Sequence, residues 1–121
     1  MAKIAPFRGI LYNPKKAGDL NKVMAPPYDV ISPEFQSRLY ERHPQNIIRL
    51  ILGKVFPDDT PGNDRYSRAA LDFKIWQDEK TIVRDGKPAI YYYVQVYRLR
   101  DGQRKTRKGF IALAKLEEFG K

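Results

Sequence analysis

The sequence contains no cysteine and only one histidine, His43. The first absence excludes disulfide bonds, thiolate metal sites and a thiol nucleophile. The second excludes a metal site built on two histidines, and we predict no metal site formed by the protein alone. Because nothing in the composition calls for an oxidising compartment, we expect a cytoplasmic protein.

Long apolar runs and the familiar nucleotide-binding loops are also missing. No stretch reaches the roughly 18 apolar residues of a membrane-spanning helix, and residues 1–7 lack the apolar segment of a signal peptide. We therefore expect a soluble protein without a membrane partner. The chain has no Gly-x-Gly-x-x-Gly motif, and Gly53-Lys54 lacks both the preceding glycine-rich run and the following serine or threonine of a phosphate-binding loop.

The composition that is present fits one globular domain. Of the 121 residues, 42% are hydrophobic and 12% are aromatic, which is enough for a modest core. We predict a single domain over residues 1–121. Because a new segment begins at residues 114–119 without a terminating signal, we also expect the chain to be the N-terminal part of a longer protein.

The net charge of +9 is concentrated at one place. Residues 98–108 carry six basic side chains and one acidic side chain, a net charge of +5 in eleven residues. A basic cluster of this kind indicates an anionic partner or a solvated, charged edge. The basic residues are Arg98, Arg100, Arg104, Lys105, Arg107 and Lys108.

The pattern predicts an α+β fold with a mixed or mostly antiparallel sheet and helices packed on it. Ser32-Pro33-Glu34 is a typical helix start and predicts a helix over residues 33–42. Asn63 or Asp64 caps a second helix to residue 78, in which apolar residues from Tyr66 to Trp76 have helical spacing. Strands are expected near residues 7–12, 45–52, 81–84, 89–99 and 103–113.

The last two strands are expected to form a long hairpin. Residues 89–99 are nearly all strand formers, and Asp101-Gly102 favours a two-residue type I′ turn. Gly109 in the return strand indicates a bulge or a close approach of another group. The tyrosines at 91–93 and Tyr97 are expected to cover the faces of this hairpin rather than to stack on bases.

Two short motifs carry the candidate site. In Pro26-Pro27-Tyr28-Asp29-Val30, the first box, the prolines fix a rigid corner that holds a tyrosine and a carboxylate. In residues 43–50, the second box, His43-Pro44 ends a helix and leads Asn46 and Arg49 into an apolar run.

Arg49 and His43 each have a structural alternative, which is a role in the fold that needs no ligand. Arg49 on a buried strand needs an anion, either Asp29 or a ligand phosphate, because its planar guanidinium favours paired hydrogen bonds to oxyanions. A purely structural pair with Asp29 is equally compatible with the pattern. His43 could simply cap the end of the preceding helix.

The chain resembles the N-terminal part of the family called domain of unknown function 1015. The matching features are the two boxes, the opening Pro6-Phe7-Arg8-Gly9 and the segment Arg107-Lys108-Gly109-Phe110. That family looks distantly similar to the ParB and sulfiredoxin-like superfamily, whose relatives include free-serine kinases. The resemblance implies a nucleotide- or phosphometabolite-binding domain of a kinase-like enzyme that uses ATP or ADP with Mg²⁺. Carried onto the boxes, it implies catalytic roles for Asp29 and His43, and substrate or phosphate binding by Tyr28, Asn46 and Arg49.

The alternative function is nucleic-acid binding by the basic hairpin at residues 98–108. Its arginines and lysines would neutralise phosphates. No recognisable reading helix accompanies the cluster, so this hypothesis predicts binding with little sequence specificity.

Overall fold

The computed structural model describes residues 3–116. The chain divides into two compact units, Leu11–Val83 and the combination of Met1–Ile10 with Arg84–Lys121. We call them the helical unit and the hairpin unit. Helices and antiparallel strand pairs are both present, which confirms the predicted α+β class.

The helical unit contains four α-helices, and two short 3-10 turns precede the second of them. None of the helices in residues 3–116 is both long and apolar enough to cross a membrane. Strand β2, at Ile10–Tyr12, pairs with β3, at Ile82–Arg84, and the boundary between the units falls within these strands. The helices are α1 (Pro14–Ala17), α2 (Pro33–Arg42), α3 (Ile48–Ile51) and α4 (Arg65–Asp78), and the turns are Leu20–Lys22 and Tyr28–Val30.

Side-chain caps explain why the two longer helices begin where they do. The Ser32 hydroxyl accepts a hydrogen bond from the Phe35 amide at 3.2 Å, at the start of α2. The Asp64 carboxylate accepts from the amides of Tyr66 and Ser67, and the Ser67 hydroxyl accepts from the Asp64 amide at 2.8 Å. Such caps satisfy backbone donors that a helix leaves unpaired. Both predicted helices are confirmed.

The core of the helical unit is small and lies where the helices meet. Helices α2 and α4 both contact α3, and the Trp76 ring of α4 lies 6.4 Å from that of Tyr12 in β2. The helices therefore pack mainly on one another, and Tyr12 adds a contact from a strand. The buried apolar side chains are Ala17, Val23, Leu39, Ile48, Trp76 and Ile82.

The prediction of a strand over residues 45–52 is wrong, because this run forms a turn followed by α3. The Asn46 Oδ1 atom accepts a hydrogen bond from the Ile48 amide at 2.9 Å, and the Asn46 carbonyl accepts from the Arg49 amide at 3.2 Å. Local hydrogen bonds of this kind bend the backbone and compete with sheet formation. They outweigh the β-propensity of the isoleucines.

The hairpin unit contains β4 (Tyr91–Arg98) and β5 (Arg104–Ile111), which pair along their whole length. A second pair joins β1 (Ile4–Ala5) to β6 (Leu113–Ala114). The predicted hairpin is confirmed. The single predicted sheet is not, since the strands of residues 3–116 form three separate pairs. The run expected to supply a central strand is helical and cannot join them.

The hairpin turn is longer than the predicted two-residue turn. The Leu99 amide donates to the Gln103 carbonyl at 2.8 Å, and the Gly102 amide donates to the Leu99 carbonyl at 2.9 Å. Gly102 has a φ of 87°, as in three-residue loops that end in a left-handed glycine. A type I′ turn would also need positive φ at Asp101, and among residues 3–116 Lys80 is the sole non-glycine with this conformation.

Gly109 makes a close approach and does not form a bulge. It lies opposite Tyr93 in a regular register. A Cβ added to Gly109 would be 2.5 Å from the Tyr93 hydroxyl oxygen, so the tyrosine ring covers the glycine. Of the two structures that the sequence left open at this position, the close approach is confirmed.

Candidate functional site

The His43 ring is held by hydrogen bonds at both nitrogens. Its Nδ1 accepts from the Gln45 amide at 2.8 Å, and its Nε2 lies 2.9 Å from the Ala17 carbonyl oxygen. Because a carbonyl can only accept, Nε2 carries the proton in this contact. His43 directly follows α2 as its C-terminal cap residue. These contacts support the structural alternative and give no support to a catalytic role.

Asn46 is completely buried and connects two segments of the helical unit. Its amide nitrogen donates to the carbonyls of Lys22 and Met24 at 2.8 and 3.0 Å, and its Oδ1 accepts from the Ile48 amide. It therefore ties the chain just before the first box to α3. Both amide protons are used, so Asn46 positions the boxes and has no free donor for a ligand.

Arg49 is held by Tyr40 and not by Asp29. Its Nη2 donates to the Tyr40 carbonyl at 3.2 Å, and its guanidinium carbon lies 4.3 Å from the centre of the Tyr40 ring. Its Nε is buried and has no hydrogen-bond partner among the described residues. No salt bridge joins Arg49 to Asp29, although both lie within the described range. The structural pair that the sequence left open is not formed.

The first box forms the expected corner and displays its polar side chains. Pro27 is extended, with a φ of −55° and a ψ of 146°, and the 3-10 turn Tyr28–Val30 follows it. Tyr28 is 67% exposed, and Asp29 is also exposed. The polar groups of His43 and Asn46 in the second box are thus occupied by internal contacts, whereas Tyr28 and Asp29 of the first box are accessible to a ligand.

A surface cleft of about 320 Å³ begins at Tyr28. Its apolar lining comes from the end of α3, from Leu52 and from Ala69 of α4. At its wall, the Arg65 guanidinium lies over the Tyr66 ring at 4.9 Å and donates to the Tyr66 hydroxyl at 3.0 Å. The lining residues are Tyr28, Leu50, Ile51, Leu52, Gly53, Arg65, Tyr66 and Ala69.

A second cleft of about 340 Å³ adjoins the first, since both share Leu52, Gly53 and Arg65. Ser32 and Gln36 add polar groups to it. Arg65 is thus the one cation that lines both of these clefts. Of the residues that the sequence predicted for the site, Tyr28 alone is among the lining residues of either cleft.

Sequence reasoning missed Arg65 and Tyr66. The helical spacing counted Tyr66 as part of the apolar face of α4, yet its side chain is 68% exposed. The available signal was the position of this arginine and tyrosine directly after the Asp64 cap. Side chains in the first turn of a helix often lie beyond the edge of the core and stay exposed, although the following turns are buried.

A metal ion would have few protein ligands here. Within residues 3–116, no three or more histidine, cysteine, aspartate or glutamate side chains form a group that could hold one. Mg²⁺ often binds through one or two carboxylates together with substrate phosphates. Asp29 fits that role only if a phosphorylated ligand supplies the remaining oxygens.

The six basic residues of the hairpin lie on both sides of it. By strand alternation, Arg98, Arg104 and Lys108 share one face, while Lys105 and Arg107 share the other. Arg100 lies in the connecting loop. None of the six forms a salt bridge within the part of the chain that the structure describes.

The tyrosines of the hairpin differ in their surroundings. The Tyr91 ring lies 5.2 Å from the Phe7 ring, and its hydroxyl accepts from the Gly9 amide at 2.7 Å. The same hydroxyl donates to the Asp85 carboxylate, and this hydrogen bond raises the pKa of Tyr91. Tyr91 is therefore partly buried against neighbouring residues, Tyr93 covers Gly109 while 37% exposed, and Tyr92 is 67% exposed.

Comparison with known proteins identifies a family. The family model described as "Protein of unknown function (DUF1015)" matches residues 4–121. The chain belongs to this family. Neither the curated proteins nor the solved structures that were compared with the chain gave a match. The family resemblance drawn from the two boxes is confirmed, and the description of the family names no substrate or reaction.

Proposed function

We propose that the helical unit binds a nucleotide or a small phosphorylated metabolite in the cleft beside Tyr28, as part of a kinase-like enzyme. The observation that carries the proposal is the composition of this cleft. Two exposed tyrosines, Tyr28 and Tyr66, and the cation of Arg65 line it together with apolar side chains. Such a combination suits a ligand with one planar, apolar part and one anionic part.

Each part of the cleft has a matching part in a nucleotide. Aromatic side chains accept a base by stacking, which contributes about 1–3 kcal/mol per base. A guanidinium binds phosphate oxygens with paired, charge-assisted hydrogen bonds. The cleft volume of about 320 Å³ lies at the lower end of the roughly 300–1,000 Å³ that ligand pockets occupy. A mononucleotide or a smaller metabolite therefore fits better than a dinucleotide.

The resemblance to relatives of free-serine kinases supports a phosphoryl-transfer reaction. Bound ATP would supply the phosphoryl group. Asp29 directly follows Tyr28 and makes no side-chain hydrogen bond within residues 3–116, so its carboxylate is available to a substrate hydroxyl or to Mg²⁺ held with the phosphates. In this proposal, His43, Asn46 and Arg49 act indirectly, by fixing the positions of the two boxes.

Thermal unfolding in the presence of ATP, ADP or phosphoserine tests the proposal. A ligand at about a hundred times its Kd should stabilise the protein by about 2.7 kcal/mol. A shift with ADP alone would indicate a nucleotide site, and a shift with phosphoserine alone a metabolite site. No shift with any of these ligands would reject the proposal.

A pair of arginine variants locates the binding. Arg65→Met removes the cation from the cleft and keeps the aliphatic stem, so the shift should be lost. Arg38→Met is the matched control, because the Arg38 guanidinium also lies over an aromatic ring, that of Phe35 at 5.4 Å, but does not line the cleft. If both variants lose the shift equally, the ligand binds by general charge and not in the cleft.

A further inference from the structure

The β-hairpin presents two different faces. Side chains alternate along each strand, and the observed register shows which residues of β4 and β5 share a face. One face combines aromatic, β-branched and basic side chains, and we call it the aromatic-basic face. It consists of Tyr92, Val94, Val96 and Arg98 of β4 with Arg104, Thr106, Lys108 and Phe110 of β5.

An exposed aromatic pair lies at one end of this face. Tyr92 and Phe110 are direct cross-strand partners, so their Cβ atoms lie about 4.5–5.5 Å apart. Tyr92 is 67% exposed and Phe110 is 60% exposed. On the opposite face, by contrast, the Tyr93 ring covers Gly109. The aromatic pair is thus available for contact with a planar ligand.

A cluster of positive charge lies at the other end of the same face. Arg98 is the direct cross-strand partner of Arg104, and like charges in this arrangement destabilise a hairpin. The nearby Asp101 carboxylate accepts a hydrogen bond from the Gln103 amide and forms no salt bridge with either arginine within the described range. An anionic partner would relieve the repulsion.

We propose that the aromatic-basic face binds single-stranded nucleic acid. Bases stack on Tyr92 and Phe110, while Arg98, Arg104 and Lys108 neutralise phosphates. A duplex suits the face less well, since its bases are already stacked and cannot use the aromatic pair. A second copy of the chain also suits it less well, because two such faces would bring six cations together. The inference goes beyond the nucleotide cleft and does not rest on it.

Fluorescence anisotropy with a labelled oligothymidine of about 12 nucleotides, within the usual site sizes, tests the inference. The comparison ligand is a duplex of the same length. We expect the single strand to bind about tenfold more tightly, as one stacked base would allow. Three phosphate contacts predict a slope of about −2 in a plot of log K against log salt concentration.

Two double variants distinguish binding to the aromatic-basic face from binding to the overall positive charge of the hairpin. Arg98→Gln with Arg104→Gln removes two cations from the aromatic-basic face, whereas Lys105→Gln with Arg107→Gln removes two from the opposite face. The first variant should bring the salt slope to about −1 and lower the affinity. The second should leave the slope near −2.

A further pair of variants tests stacking. Tyr92→Thr keeps a good strand former and removes the ring, and it should lower the affinity about tenfold. Tyr97→Thr, on the opposite face, should change it less than twofold. Circular dichroism confirms that each variant is folded. If Tyr92→Thr does not fold, the two charge variants still decide the question.

Four results would overturn the inference. The folded protein does not bind the oligothymidine at low salt, or it binds the duplex with equal affinity. The two charge variants lose affinity for the oligothymidine equally, or the protein self-associates through this face in sizing experiments. Either of the last two would show that the face recognises charge in general or another copy of the chain.

Discussion

The second box and the basic hairpin use their polar side chains in opposite ways. In the second box, the nitrogens of His43 and the amide group of Asn46 all bond to backbone atoms of the helical unit. In the hairpin, the basic side chains of residues 98–108 have no acidic partners among the described residues. The most distinctive polar motif of this sequence therefore stabilises the fold, while less distinctive residues remain accessible to ligands.

Removing Asn46 should give the largest effect on stability. Asn46→Ala leaves the carbonyls of Lys22 and Met24 and the Ile48 amide without partners. The Ile48 amide is buried and the two carbonyls are half-buried. Since a buried unpaired group costs about 1–3 kcal/mol, we expect a total loss of about 3 kcal/mol in the free energy of unfolding, measured with urea. Asn63→Ala, at an exposed position, is the control and should cost less than about 0.5 kcal/mol. A loss below about 1 kcal/mol for Asn46→Ala would contradict its role in joining the boxes.

Removing the Tyr12 hydroxyl should lower the free energy of unfolding by less than Asn46→Ala does, and the loss should depend on pH. Its hydroxyl donates to the Gln45 carbonyl of the second box at 2.6 Å, and burial raises its pKa to about 12. At neutral pH, Tyr12→Phe should cost about 1 kcal/mol for the lost hydrogen bond. The raised pKa favours the neutral phenol in the folded state, so its contribution is complete below the ordinary pKa of about 10 and is lost as the pH rises toward 12.

Urea unfolding of the wild type and Tyr12→Phe at several pH values checks this prediction. The difference between the two proteins should narrow above pH 10 or so. Tyr97→Phe, on the exposed hairpin, serves as the control for general alkaline effects. A difference that stays constant up to pH 12 would contradict the raised pKa of Tyr12.

Breaking the ion pair between Asp59 and Arg68 should cause the smallest loss of stability of the three changes. The Asp59 carboxylate accepts from Nη1 and Nη2 of Arg68, both at 2.9 Å, and from the Phe56 amide at 3.0 Å. These hydrogen bonds, those from Arg68 above all, lower the pKa of Asp59. The stabilisation is therefore present above the ordinary pKa of about 4 and is lost as the pH falls below it.

Thermal melting of Asp59→Asn at neutral and acidic pH measures this effect. The variant should melt below the wild type at neutral pH, and the gap should close in acid. Asp58→Asn changes the exposed neighbouring carboxylate and should leave the melting temperature almost unchanged. A gap for Asp59→Asn that persists in acid would show that the charged pair is not its source.

Local signals in the sequence were sufficient for much of the fold. Caps and apolar spacing located α2 and α4, and the run of strand formers located the hairpin. The run at residues 45–52 was not predictable from composition, because the local hydrogen bonds of Asn46 that bend it form while its side-chain amide is held by distant backbone groups at Lys22 and Met24. A single sheet was expected because this run was predicted to be its central strand. Since the run is helical, the strands form separate pairs.

The candidate site was less predictable than the fold. The prolines predicted the rigid corner that carries Tyr28 and Asp29, and a role of these two residues in ligand binding stays a prediction. Arg65 and Tyr66 were missed because the cleft that they line forms where the segment after α3 lies close to the start of α4, with an added Cβ on Gly53 3.3 Å from that of Arg65. Sequence spacing contains no information about such an approach between helices.

We propose that a small phosphorylated ligand binds in the helical unit and that the hairpin binds longer anions independently. A titration followed by ¹H–¹⁵N correlation NMR tests it most directly. With ADP, we expect shifts in the amide signals of Gly53, Arg65, Tyr66 and Ala69, and little change in residues 98–108. With oligothymidine, the pattern should be reversed. Shifts of the same hairpin signals with both ligands, and none around the cleft, would contradict two independent binding sites.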